Sequence, residues 1–185
     1  MQRIIVGITG ASGVTLGVNL LKALSEIPDI ETHLVRTDCA VETMKLETDF
    51  EPDEVIALAD VYHDINDMAA SISSGSFKTD GMIVAPCTMK TLSGIATGYS
   101  SNLLLRAVDV CLKERRKVVL ITRELPLSLV HLKNMTTVTE CGCIVLPPML
   151  TFYNKPQTIQ DMINHLIGNT LMMFDIDYKK FTPWK

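Results

Sequence analysis

The sequence lacks the features that mark membrane-spanning, secreted and nucleic-acid-binding proteins. No apolar run approaches the roughly 20 residues that a membrane-spanning helix needs. The N-terminal segment has no signal-peptide pattern, because its short apolar stretch runs directly into a glycine loop. Positive charge is in deficit, since 17 Lys and Arg against 21 Asp and Glu leave a net charge of −4. This deficit argues against a broad nucleic-acid surface. Because membrane-span and signal-peptide patterns are lacking, we expect a cytoplasmic protein.

Cysteine is scarce and unpatterned. The five cysteines are odd in number and scattered, which predicts reduced thiols rather than disulfides. Cys141 and Cys143 have no second cysteine pair at zinc-finger spacing, so we predict no metal site. The four histidines occupy separate segments, and we expect a solvated or core role for each: His33, His63, His131 and His165.

What the sequence does have is enough apolar residue for a sizeable core. Its 185 residues correspond to one domain of ordinary size. Hydrophobic residues make up 47% of the chain and the mean hydropathy is +0.24. This composition excludes disorder and predicts that some outer surface is buried against other subunits.

Short apolar runs alternate with helical patterns along the whole chain. Segments with helical periodicity follow most of the runs, and the last one has a single apolar stripe from Ile159 to Leu171. This order predicts an α/β fold with a doubly wound, mainly parallel sheet, formed as a single domain over residues 1–185 with a C-terminal tail from about 175. The predicted strands are 4–8, 33–35, 81–85, 117–122 and 143–146.

Ligands of such sheets bind where the strands end. The strand exits to inspect are therefore 9–13, 36–38, 86–91, 122–126 and 147–153.

The first exit is rich in glycine. Gly7, Gly10 and Gly13 are spaced three and three, unlike a dinucleotide fingerprint, yet the turn offers free amides, a helix N-terminus and the Ser12 hydroxyl. This favours an anion or phosphate site. The alternative is that the glycines only permit close strand–helix packing, with Ser12 as the N-cap. A hydrolase nucleophile is disfavoured, because the second glycine of Gly-x-Ser-x-Gly is absent.

Charged residues precede and follow the fourth predicted strand. Arg106, Asp109 and Lys113 share one helical face, and Arg123 and Glu124 lie at the strand exit. They form either a solvated face or a site for a phosphate-bearing substrate. In the second case two cations and a carboxylate converge on one edge and support a proton transfer.

Several motifs in order resemble one family over essentially the whole chain, the UbiX-like flavin prenyltransferases, also described as phenylacrylic-acid-decarboxylase-type flavoproteins. The motifs are Gly-Ala-Ser-Gly at 10–13, Leu-Glu-Thr-Asp at 46–49, Ser-Ile-Ser-Ser-Gly-Ser-Phe at 71–77, Pro-Cys-Thr-Met-Lys-Thr-Leu-Ser at 86–93, the charged run 106–116, Arg-Glu-x-Pro-Leu at 123–127 and Pro-Pro-x-x-x-Phe-Tyr at 147–153.

The resemblance implies a flavodoxin-like or Rossmann-like subunit that binds FMN. It implies transfer of a dimethylallyl group from dimethylallyl phosphate to N5 and C6 of reduced FMN, without a metal. The product, prenylated FMN, would serve a UbiD-type decarboxylase of aromatic acids. The resemblance also implies a homo-oligomer, a dodecamer, with sites between subunits.

The resemblance assigns roles residue by residue. The catalytic residues would be Ser12, Glu47, Lys113, Arg123 and Glu124. The FMN contacts would be Gly10, Ala11, Ser12, Thr37, Thr88, Met89, Lys90, Thr91, Arg106 and Arg123. The donor contacts would be Lys113, Tyr153, Asn169 and Trp184. Asn169 stands where the family has Arg, and Lys179 or Lys180 is a candidate for the missing cation.

Two other functions are open at this point. One is an FMN-dependent decarboxylase of the cysteine-decarboxylase type, disfavoured because the motif at 86–92 lacks the key Asn. The other is a carrier that binds prenylated FMN without catalysis.

Overall fold

The computed structural model describes residues 1–184, which form one three-layer α/β unit. The strands are β1 (Gln2–Ile8), β2 (Ile30–Arg36), β3 (Val61–His63), β4 (Gly81–Cys87), β5 (Lys117–Thr122) and β6 (Ile144–Val145). The helices are α1 (Val14–Ser25), α2 (Asp38–Glu47), α3 (Pro52–Ile56), α4 (Met89–Thr97), α5 (Leu103–Lys113), α6 (Leu129–Glu140) and α7 (Ile159–Met172), with a short 3₁₀ turn at Ser71–Ser73.

All six strands pair in parallel, in the order β3-β2-β1-β4-β5-β6. The chain builds one half of the sheet outward from β1 and the other outward from β4, which confirms the predicted doubly wound fold. Alternate residues of the central strands serve two separate cores, as a sheet covered on both faces requires. Ile4 and Val6 pack toward α1 and α7, whereas Ile5 and Met82 pack toward α5.

Two short elements, α3 and β3, were not predicted. β3 has three residues, too few for a periodic signal. α3 begins at Pro52, because proline is well suited to the first turn of a helix and the Glu51–Glu54 capping box satisfies the amides of that turn.

The unpredicted β3 also corrects the expectation that the four histidines are separate. His33 of β2 and His63 of β3 share a hydrogen bond of 2.9 Å between their ring nitrogens. The pairing arises because β3 adds in register to the outer edge of β2, with His63 opposite Val35.

The chain returns to α7 after that helix ends. Phe181 packs on α7 at Gly168, where a β-carbon would lie 2.2 Å from the ring. The Tyr178 hydroxyl donates to Asn164 Oδ1 at 3.1 Å and provides a second anchor. In the described part of the chain, no helix combines the length and apolar character needed to cross a membrane.

Candidate active site

The exits of β1 and β4 meet at the centre of the sheet, where the strand order reverses. Ligands of open α/β sheets bind in the crevice that such a reversal creates. One hydroxyl joins the two exits, since Thr9 Oγ1 donates to the Pro86 carbonyl at 2.7 Å and accepts from the Thr88 amide at 2.9 Å. The glycine loop and the segment 88–91, both predicted to hold a flavin, therefore lie side by side.

Glycine is required at position 10 because Cys39 leaves no room for a side chain, and not because of the backbone angles there. A β-carbon at this position would lie 2.5 Å from Cys39 Cβ and 2.8 Å from the Cys39 backbone carbon and oxygen. The loop after β1 and the start of α2 are therefore in direct contact. This contact brings Gly10, Ala11 and Ser12 beside Thr37, which caps α2 by accepting from the Ala40 amide at 3.2 Å.

Glu47 occupies the N-terminus of α1, which the sequence analysis considered for an external anion. Its Oε2 accepts from the Gly13 amide at 2.7 Å and from the Val14 amide at 3.3 Å. Gly13 itself has no side chain to cap the helix. Glu47 is the last residue of α2, where the helix dipole disfavours a carboxylate, so its favourable position is at the start of α1. The anion site at this helix end is thus filled by the chain's own carboxylate.

The surroundings of Glu47 hold it in the charged form. Burial alone would raise the pKa of its carboxyl, but hydrogen bonds from the Ser12 hydroxyl and the Gly13 and Val14 amides lower it below the ordinary value, and the Arg123 charge adds to this. Three predicted catalytic residues, Ser12, Glu47 and Arg123, are thereby brought to one place.

We expect Glu47→Gln to lower the melting temperature at neutral pH, and the deficit to disappear in acid. A carboxylate with a lowered folded-state pKa contributes stability above its ordinary pKa, near 4.5, and loses that contribution as the pH falls through the folded value. Thermal melts of both proteins across this range measure the effect. Glu42→Gln is the control, because Glu42 is exposed on the same helix and contacts Lys45. A deficit that is independent of pH would contradict this account.

The exit of β5 adds a cation and a carboxylate to the same edge. Arg123 and Glu124 are exposed, the Arg123 amide donates to the Cys87 carbonyl at 3.2 Å, and Glu124 Oε1 accepts from the Leu125 amide at 3.0 Å. The Thr122 hydroxyl beneath them is buried without a hydrogen-bond partner among the described residues. Thr88 caps α4 through Thr91, whose amide donates to its hydroxyl at 3.1 Å, while Met89 and Lys90 form the first turn of α4.

Lys113 does not join this edge, contrary to the predicted convergence with Arg123. Because α5 returns antiparallel to the strands, its last residue lies beside the start of β5, and the strand's six residues separate that end from Arg123 by roughly 17 Å. At the opposite edge Lys113 contacts Glu114. Arg106 is hydrogen-bonded within the chain, donating to the Ser73 carbonyl at 3.1 Å and to Asp109 at 2.6 Å.

The predicted donor contacts Tyr153 and Trp184 form an aromatic cluster with α7. Their rings meet edge to face with centroids 4.8 Å apart. The Tyr153 hydroxyl also lies 3.2 Å from Nε2 of His165, a residue that the sequence analysis did not connect with the site. Asn169 lies one helical turn beyond His165 on the same face of α7.

Of the two lysines considered as a replacement for the missing arginine, Lys180 is bound away from the glycine loop. Lys180 forms an ion pair with Glu26 at 3.2 Å, at the end of α1 remote from the glycine loop. Lys179 lines a cavity beside Gly168 and Met172.

The five cysteines form no disulfide, and burial disfavours the thiolate form of three of them. All five cysteines are free, and burial raises the pKa of Cys111 to about 11 and that of Cys143 to about 12. Burial also raises the pKa of Cys87, at the exit of β4. Residues 1–184 contain no group of three or more His, Cys, Asp or Glu side chains placed to hold a metal ion.

Exposed apolar side chains follow the exits of β5 and β6. Each is at least 64% exposed in the single chain: Leu125, Leu129, Val130, Met149, Leu150 and Phe152. Exposed apolar area of this kind favours burial against a partner.

Comparison with known proteins gives consistent matches over the full chain. The sequence model of the Flavoprotein family matches residues 1–170. A curated protein of Sedimentibacter hydroxybenzoicus named "Probable UbiX-like flavin prenyltransferase" is 57% identical over 184 residues, which cover 100% of this chain and 97% of that protein.

Two solved structures are equally similar in backbone. A dodecameric FMN-dependent UbiX-like decarboxylase from Escherichia coli is 50% identical with a TM-score of 0.97, covering 100% of both chains. AnUbiX in complex with FMN and dimethylallyl pyrophosphate is also 50% identical with a TM-score of 0.97, covering 100% of this chain and 97% of that one.

Proposed function

The chain belongs to the Flavoprotein family and, within it, to the UbiX-like flavin prenyltransferases, and from this premise we propose that it joins the dimethylallyl group of dimethylallyl phosphate to reduced FMN. The observation that carries the proposal is the crevice between the exits of β1 and β4, where the glycine loop, Thr88 and Arg123 lie together. The relatives' names set the reaction class, and the crevice supplies a place for it.

The residues of the crevice fit FMN. Gly10 allows the loops after β1 and β2 to approach within contact distance, and their backbone would form the cradle for the flavin. Gly10, Ala11 and Ser12 would hold the cofactor from one side, Thr37 from a second, and the segment 88–91 from a third. Arg123 and the unpartnered Thr122 hydroxyl supply donors at the same edge. When bound in its reduced form, FMN supplies the nucleophilic N5 and C6 atoms.

The chain's own task is to stabilise the leaving phosphate. Breaking the allylic C–O bond leaves negative charge on the phosphate, and cations aimed at that charge lower the barrier. Arg123 would contact the phosphate from the β5 exit, with Ser12 and Tyr153 as hydroxyl donors and Lys113 as a second cation. Glu124, or the phosphate itself, would accept the proton that ring closure releases, and Glu47 would carry protons near the flavin.

The position of Lys113 implies a site shared between chains. Within one chain Lys113 and Arg123 lie at opposite edges of the sheet, so a site that contains both needs a second copy. The exposed apolar surface around Leu125 and Phe152 suits burial in such an assembly. The Escherichia coli relative is described as dodecameric, which supports a homododecamer here.

The product belongs to a two-protein system under this proposal. Prenylated FMN would pass to a UbiD-type decarboxylase, which sets the choice of aromatic acid. The cysteine-decarboxylase alternative has weaker support, because curated relatives that are 52–57% identical carry prenyltransferase names, whereas the solved cysteine decarboxylases are only 16–17% identical.

Release of inorganic phosphate tests the function. We expect phosphate to appear from dimethylallyl phosphate only when reduced FMN is present. Dimethylallyl pyrophosphate, found in the AnUbiX complex, is the parallel donor, and pyrophosphate release from it would replace the monophosphate assignment. No release from either donor would contradict prenyl transfer.

Removal of divalent metal should leave this activity unchanged. Lys113, Arg123 and the site hydroxyls provide the positive charge and donors that a metal would otherwise supply. Protein dialysed against EDTA is compared with the same protein after Mg²⁺ is added back. Loss of turnover on chelation and its return with the metal would show that the cations are insufficient.

Asn169→Arg should lower the Michaelis constant for dimethylallyl phosphate by roughly tenfold, with little change in turnover. A guanidinium makes a charge-assisted contact to phosphate where Asn gives one neutral hydrogen bond. Lys180 is already paired with Glu26, which leaves the gap open on that side. Steady-state kinetics of both proteins measure the effect, and Ile159→Arg, at the exposed first residue of α7, controls for added charge. An unchanged Michaelis constant would mean that another group already compensates.

A further inference from the structure

His165 is a buried polar residue with a hydrogen-bond partner at only one of its two ring nitrogens. The side chain is 5% exposed, and its Nε2 lies 3.2 Å from the Tyr153 hydroxyl. Its Nδ1 is buried with no hydrogen-bond partner among residues 1–184. Phe181 from the C-terminal segment also packs on the imidazole, with ring centroids 5.2 Å apart.

These contacts select one tautomer of the imidazole. Burial lowers the pKa of His165, so the ring is neutral near pH 7 and carries one proton. A proton on Nδ1 would be a buried donor without an acceptor, the rarest kind of unsatisfied group. A proton on Nε2 instead makes a hydrogen bond to the Tyr153 oxygen. His165 is thus the donor and Tyr153 the acceptor in this pair.

The direction of this bond determines what Tyr153 can do. A phenol that accepts from the imidazole keeps its own proton for another partner. Tyr153 is 42% exposed and borders a cavity of about 290 Å³ with Asn154 and Trp184, so that proton can reach a ligand. A donor directed at a phosphate oxygen binds it, whereas a lone pair directed there would repel it.

We propose that His165 is a positioning residue for the donor phosphate: by donating to the Tyr153 oxygen it orients the Tyr153 hydroxyl to donate to the phosphate of the prenyl donor. The proposal rests on the proposed prenyl-transfer function, which assigns Tyr153 to that phosphate. His165 does not touch the substrate, and its effect passes entirely through Tyr153.

The test compares two replacements of His165 on the FMN-loaded protein. His165→Phe keeps the aromatic packing against Phe181 but cannot donate, whereas His165→Gln retains an amide donor. We expect His165→Phe to raise the Michaelis constant for dimethylallyl phosphate about tenfold, the loss of one hydrogen bond, with kcat within about twofold. His165→Gln should restore most of the affinity. Calorimetric binding of inorganic phosphate should show the same order.

A double-mutant comparison separates positioning from packing. If His165 acts through Tyr153, the double variant Tyr153→Phe/His165→Phe should bind phosphate with the same affinity as the single variant Tyr153→Phe. Additive losses would overturn the proposal, and so would an unchanged His165→Phe protein. Asn164→Ala is the control, because it removes the Tyr178 anchor of the same C-terminal segment without touching Tyr153. An equal loss in that control would assign the effect to a loosened segment and reject the proposal.

The calorimetric measurement of phosphate binding does not depend on prenyl transfer. If the wild-type protein released no phosphate from the prenyl donor, the proposed function would fail. Phosphate affinities of the five variants would still decide whether His165 orients Tyr153.

Discussion

Replacing Lys113 by alanine is expected to slow prenyl transfer about a hundredfold while FMN remains bound. One cation directed at developing phosphate charge contributes on the order of 3 kcal/mol to the transition state. FMN binding survives because Lys113 is assigned to the donor phosphate, whereas the glycine loop, Thr37 and the segment 88–91 would hold the flavin. Single-turnover rates and flavin titrations of the variant measure the two properties separately. A fully active Lys113→Ala protein would assign this lysine to a solvated face.

Mixed assemblies of two inactive variants test whether Lys113 acts from a second chain. Lys113→Ala and Arg123→Ala subunits, produced together in equal amounts, should recover about a quarter of the wild-type sites, since that fraction draws both intact residues from different chains. If both residues served the same chain's site, every site would carry one defect and no activity would return. Separately produced variants mixed without subunit exchange provide the baseline.

Replacing Gly10 by alanine should weaken FMN binding by about a hundredfold. The new β-carbon would lie 2.5 Å from Cys39 Cβ and 2.8 Å from the Cys39 backbone, and backbone atoms cannot move aside as a side-chain end can. Overpacking of this kind typically costs 1–3 kcal/mol, roughly one to two decades of affinity, and here it separates the loops that form the cradle. Fluorescence titration with FMN measures the loss.

Gly94→Ala is the matched control for this substitution. Its β-carbon would come closest to the methyl ends of Leu105 at 3.0 Å, which can rotate, and would make only an ordinary contact of 3.5 Å with the Tyr99 carbonyl oxygen. Alanine also favours the helix in which residue 94 lies. Wild-type affinity in Gly10→Ala, or an equal loss in Gly94→Ala, would show that the contact with Cys39 does not define the cradle.

The local parts of this fold were predictable from the sequence, because they depend on near neighbours in the chain. Apolar β-branched runs such as 117–122 become strands buried on both faces. The central strands β1 and β4 end at or within two residues of their predicted ends. β3 was not predictable, because its three residues take their structure from pairing with β2 rather than from a pattern of their own.

The sequence placed candidate site residues at strand exits but did not indicate the geometry that joins them. Composition and spacing placed Gly10, Ser12 and Thr88 at strand exits, and the strand order brings those exits together. The place of Glu47 at the start of α1 depends on the path of α2, which no local signal encodes. Lys113 lies at the opposite edge of the sheet because α5 runs antiparallel to the strands. His165 contacts Tyr153 because the segment after β6 folds back onto α7.

The mass of the flavin after one reaction tests the central claim most directly. Protein, reduced FMN and dimethylallyl phosphate are incubated anaerobically, and the flavin is then extracted and weighed by mass spectrometry. The account predicts a product heavier than FMN by one dimethylallyl unit, formed by the wild-type protein and about a hundredfold more slowly by Lys113→Ala. Recovery of unmodified FMN alone from the wild-type protein, with the flavin fully reduced and bound, would contradict it.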